Sequence, residues 1–101
     1  MDKIKRLRDH ADRIDMVLIT ALAERMSLIP VFAKHKKQQG ITAFDHEREN
    51  EILSNVERYA EVHKLDSEFV KDIFSRIIDE TKAKEKEFID KDWADEDWNA
   101  Y

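Results

Sequence analysis

A single apolar stripe runs through the segment from Lys3 to Lys37, and it constrains the fold more than any other feature of the chain. Apolar or small residues recur at Ile4, Leu7, Ala11, Ile14, Leu18, Ala21, Leu28 and Phe32, the 3-4 spacing of one continuous helix face. Such a helix is about 50 Å long, whereas a compact domain of 101 residues has a radius of gyration of only about 13 Å. The stripe therefore needs a second chain to cover it. Pro30 falls inside the helix, where its missing N–H and ring clash cost up to about 3 kcal/mol and bend the axis. Because Val31, Phe32 and Ala33 resume the pattern in phase, a kink is expected there, not an end. The only glycine, Gly40, follows Lys36 and Lys37 as the stop.

Cations interrupt this helix in unusual places. Arg25 sits where the count from Ala21 to Leu28 requires an apolar residue, and a buried guanidinium without an anion is costly. Something anionic is expected to meet it. Arg8 lies 17 positions earlier, about 25 Å along a straight helix, so no metabolite-sized ligand reaches both within one chain. Lys36 lies 11 positions later, close to three turns and about 16 Å in rise, a gap that two long side chains nearly close. Arg25 and Lys36 can thus share a ligand. If Arg8 serves the same ligand, it comes from an antiparallel second copy.

Two further helices complete an all-α, three-helix chain, since one Gly and one Pro leave too few turn formers for a sheet. Thr42 is expected to cap the second helix, with Asp45 reaching back, and the helix to run to Val62 with Ile52, Leu53, Val56, Tyr59 and Ala60 buried. Asp66 caps the third, whose stripe is Phe69, Val70, Ile73, Phe74, Ile77, Ile78, Thr81, Glu85 and Phe88. Residues 1–89 are read as the helical domain. Residues 90–101, acidic and carrying Trp93 and Trp98, are read as a mostly disordered tail.

Composition then removes whole classes of function. Without Cys there is no disulfide and no thiolate metal site. His10, His35, His46 and His63 show no metal-ligand spacing, no glycine-rich phosphate loop is present, and neither metal nor cofactor is expected. A net charge of −5 argues against nucleic acid as a partner. The charged N-terminus lacks a signal region and no apolar run approaches membrane-spanning length, so a soluble cytoplasmic protein without membrane attachment is expected.

The interrupted stripes contribute four cations, Arg8, Arg25, Lys36 and Arg48, and four hydroxyl or carboxylate groups, Asp45, Glu49, Thr81 and Glu85. Singly each reads as a core-edge ion pair, such as Arg48 with Asp45. Together they suit a pocket for a small polyanion, with arginine as the carboxylate clamp. Rich in fixed charge yet without a nucleophile at a recognisable spacing, such a site fits a reaction that needs only orientation and charge stabilisation.

The segments LRDHADRIDMVLITALAERM, Lys36, DHERENEIL and LDSEFVKDIF, with the Thr81 to Glu85 spacing, resemble the all-helical chorismate mutase family over roughly residues 4 to 89. That resemblance implies an intertwined helical homodimer with two equivalent sites, each completed by the partner's first helix. It implies the rearrangement of chorismate to prephenate in phenylalanine and tyrosine biosynthesis. By the same resemblance Arg25 and the partner's copy of Arg8 bind the substrate carboxylates, and Lys36 holds the ether oxygen. Asp45 and Glu49 engage the ring hydroxyl, Arg48 orders that network, and Thr81 lines the pocket. Glu85 stands where some members carry Gln, so to donate a hydrogen bond to the ether oxygen it must carry a proton. An isochorismate pyruvate lyase shares the fold and is the nearest alternative; an aminated-chorismate mutase and a non-catalytic dimerisation module are more distant ones.

Overall fold

Four helical segments build the chain in a computed structural model that describes residues 2–90: α1 Lys3–Ser27, α2 Ile29–Gln39, α3 His46–Val62 and α4 Ser67–Ile89. Trp93, Trp98 and the tail expected to be disordered lie outside the described residues. No strand occurs among those residues. The all-α class with a long N-terminal helix is as the sequence predicts.

Local chemistry accounts for each boundary. The Asp2 carboxylate accepts a hydrogen bond from the Ile4 N–H at 2.9 Å and opens α1. Only Leu28 separates α1 from α2, and it keeps right-handed dihedrals of −77° and −16°. Its carbonyl accepts from the Phe32 N–H at 3.0 Å, so the axis bends without ending and α1 and α2 form one kinked rod. Pro30 thereby falls in the first turn of α2, where a missing N–H leaves no helix hydrogen bond unmade. Gly40 closes α2 at φ 71°, the left-handed cap that glycine adopts without steric cost.

The cap of α3 differs from expectation. Asp45, not Thr42, accepts from the Arg48 N–H at 3.0 Å, while the Thr42 hydroxyl donates to the Phe44 carbonyl at 3.2 Å. The helix begins at His46, so Thr42 stands too early in the chain to cap it. Asp66 accepts from the Glu68 N–H at 3.0 Å and starts α4 as expected.

Packing is concentrated at one end of the molecule. Helix α4 lies against both α2 and α3, and the buried apolar residues are Ile29, Ala33, Ala43, Ala60 and Ile78. Small side chains at 33, 43 and 60 let the backbones approach. Helix α1 buries none of its residues; Val17 and Leu18 are 69% and 63% exposed. With extents of 57 × 29 × 19 Å and a radius of gyration of 17.4 Å, the chain is far more extended than the roughly 13 Å of a compact domain this size. Tyr59, Phe69 and Ile73, expected in the core, are exposed, because none of the described residues lies over the faces that carry them.

One composition-based expectation needs correction. By length and composition the rod Lys3–Gln39 does meet the measure of a membrane-crossing helix. The measure tolerates two charged residues, and Glu24–Arg25 join two charge-free stretches, 16–23 and 26–33, into one window. Both charges then stand at its centre, where each costs about 2.5 to 3.5 kcal/mol on insertion scales.

Candidate active site

A cavity of about 390 Å³ opens between the α1–α2 junction, the start of α3 and the C-terminal half of α4. Its apolar wall comes from Leu28, Ile29, Phe32, Ala43, Ile52 and Ile78. The α1–α2 rod delivers Arg25 and Lys36, the N-terminal turn of α3 delivers Asp45, Arg48 and Glu49, and α4 delivers Thr81 and Glu85. Seven of the eight residues expected at the site therefore meet in one place. Arg8 does not: it is exposed near the start of α1.

Arg25 is half-buried and donates through Nη1 to the Thr81 hydroxyl at 3.2 Å. That hydroxyl in turn donates to the Ile77 carbonyl at 2.8 Å, which holds its oxygen toward the guanidinium. No carboxylate pairs with Arg25 among the described residues. The anion that its place in the stripe demands is absent among the described residues, and the charge is left facing a cavity.

Lys36 and Glu85 form the most buried ion pair of the site. Lys36 Nζ lies 2.9 Å from Glu85 Oε1 and donates to Oε2 at 3.1 Å, and Glu85 is only 4% exposed. A carboxylate so enclosed needs its cation, since removing one partner of a buried pair costs about 3 to 5 kcal/mol.

On the α3 side the arrangement departs from expectation in two respects. Arg48 does not reach Asp45 or order the carboxylates: its guanidinium pairs with Glu51, and only its backbone N–H meets the Asp45 carboxylate. The three-residue spacing places the Asp45 oxygen on a cap, and the Arg48 side chain, more than half exposed at the cavity rim, turns to Glu51. Glu49 is held instead by Lys82, whose Nζ lies 2.7 Å from Oε1. Oε1 is buried, and the Lys82 ammonium is the group set against it among the described residues. The bonding approach of Glu49, reinforced by its charge and by Asp79 at 4.0 Å, holds the Lys82 ammonium above the usual lysine range against its partial burial.

Sequence reasoning missed Lys82. It stands four residues after Ile78 and three before Glu85, the spacing of the same helix face. That signal was available, but a lysine beside a stripe of Ile, Thr and Glu reads as an exposed neighbour.

Fold and site together define a class: an all-helical protein whose helices enclose a small cavity carrying fixed charges of both signs, suited to a compact anionic ligand. Residues 7–86 match the family model described as chorismate mutase type II, and the chain belongs to that family. It is 31% identical over 91 residues to a chorismate mutase of Methanocaldococcus jannaschii, a match covering 90% of this chain and 92% of that protein. It is 31% identical over 88 residues to the T-protein of Haemophilus influenzae, covering 87% of this chain but only 23% of that longer relative. A 4-amino-4-deoxychorismate mutase of Streptomyces pristinaespiralis is 27% identical over 88 residues, covering 87% of this chain and 68% of that protein. No solved structure matches the chain.

Proposed function

We propose that the protein is a cytoplasmic, homodimeric chorismate mutase that converts chorismate to prephenate for phenylalanine and tyrosine biosynthesis. The observation that carries this reading is Arg25, a half-buried guanidinium facing a cavity with no carboxylate partner among the described residues. A substrate carboxylate supplies the missing anion. The second carboxylate is assigned to Arg8 of an antiparallel partner, and the unburied face of α1 is the surface that such a partner covers.

The reaction is a unimolecular [3,3] shift. One ether C–O bond breaks, one C–C bond forms, and no nucleophile or proton transfer is required. A million-fold acceleration asks for about 8 kcal/mol of differential transition-state stabilisation. The cavity supplies it by holding the folded conformer against the apolar wall of Ile29, Phe32 and Ile78. It also places the Lys36 ammonium where negative charge develops on the ether oxygen. The cationic side takes the carboxylates, so the ring hydroxyl turns toward Asp45 and Glu49. Product identification tests the assignment: prephenate from chorismate supports it, whereas pyruvate release with salicylate formation from isochorismate points to the lyase.

Glu85 adds a second group at the ether oxygen. As a carboxylate it can only accept, and it already accepts from Lys36; to donate toward the ether oxygen it must carry a proton. Glu85→Gln, whose amide donates without taking up a proton, is therefore expected to keep or raise kcat/KM relative to the wild type, and a tenfold or greater loss would sink this role.

A further inference from the structure

We propose that Lys82 is a selectivity-determining residue of this cavity, admitting a hydroxyl on the ligand ring and rejecting an ammonium at the same place. The inference rests on the mutase reading above and concerns what distinguishes chorismate from its 4-amino-4-deoxy counterpart, the substrate type named for one of the relatives.

The argument is one of charge at the α3 side of the cavity. Asp45 and Glu49 both line it, and two carboxylates by themselves form a receptor for an ammonium. The structure does not leave them by themselves. Lys82 Nζ lies 2.7 Å from Glu49 Oε1, with the two side chains only 22% and 19% exposed. The Phe44 ring lies 5.5 Å from the same ammonium and Asp79 lies at 4.0 Å, which hold it in place from other directions. The cation site beside Glu49 is thus already filled from within the chain. A ligand ammonium arriving there meets a like charge sharing one carboxylate, a repulsive element of the kind by which sites discriminate between close analogues. A hydroxyl meets no such penalty and can donate to a carboxylate of this wall, Asp45 or Glu49. Asp45 keeps its charge at the same wall, with Oδ1 engaged by the Arg48 N–H, so Lys82 reduces the uncompensated charge facing the ligand from two carboxylates to one.

The alternative role for Lys82 is structural, a tie between α3 and α4. Damage to such a tie lowers turnover of both substrates alike, so the ratio of the two kcat/KM values separates the roles. That ratio is to be measured with chorismate and 4-amino-4-deoxychorismate for the wild type, Lys82→Met, which keeps the length of the side chain without its charge, and Lys82→Arg. The wild type is expected to favour chorismate. Lys82→Met is expected to shift the ratio toward the amino substrate by about tenfold or more, the scale of one partly exposed charge interaction, and Lys82→Arg to restore the preference. An unchanged ratio in Lys82→Met, or a wild type that favours the amino substrate, overturns the assignment of Lys82 while leaving mutase activity standing. A wild type that turns over neither substrate overturns the functional reading and this inference with it.

Discussion

Replacing Lys36 by alanine is expected to lower kcat/KM by about 100- to 1000-fold, the effect of removing one preorganised donor from a site of developing negative charge. Arg25→Ala is expected to act similarly, because no other cation of the chain that lines the cavity lacks a carboxylate partner. Far-UV circular dichroism should stay close to wild type for both, since α2 is anchored by Ile29 and Ala33 and not by either cation. Stability separates the two. Lys36→Ala strands the buried Glu85 carboxylate and should unfold at lower temperature, whereas Arg25→Ala leaves only the Thr81 hydroxyl without its donor. Adding Glu85→Gln to Lys36→Ala should recover stability without recovering turnover. Losses smaller than tenfold in both single variants would defeat the catalytic assignment.

The second large effect concerns the partner chain. If each site draws Arg8 from one protomer and Lys36 from the other, Arg8→Ala and Lys36→Ala are each nearly inactive, yet unfolding and refolding them together restores turnover. Half of the refolded dimers are then mixed, each carries one intact site, and activity returns to about a quarter of wild type. The measurement is kcat/KM of the mixture against each variant alone. A mixture no more active than its components means that Arg8 serves no site across the interface, and sedimentation then reports whether the exposed face of α1 has a partner at all.

Much of this molecule is legible in the sequence because helix periodicity is a local signal. The 3-4 stripe from Ile4 to Phe32 implies a rod too long for one domain, and α1 buries nothing in the single chain. The glycine at 40 and the aspartate at 66 mark ends through backbone geometry and capping, which depend on a few neighbouring residues. The polar residues lodged in apolar columns converge on one cavity for the same reason: a helix face is fixed by the count along it. What the sequence could not supply is partner choice among charges. Arg48 has carboxylates at 45, 49 and 51 within reach and takes Glu51, and Glu49 is paired from another helix by Lys82. Such pairings turn on a few ångströms of approach between segments distant in the chain, and spacing carries no record of them. The exposure of Tyr59 and Phe69 has a similar origin, since periodicity tells which face is apolar but not which molecule lies against it.

The break at Leu28 divides the site's two principal cations between the two segments of the kinked rod. Arg25 ends the outlying arm, Lys36 rides on the segment packed against α4, and Pro30 prevents the backbone from fusing them into one straight helix. The span between guanidinium and ammonium is consequently set by an inter-segment angle more than by the rotamers of two long side chains. A change in that angle changes the distance between the two cations, and with it the size of ligand they can hold together.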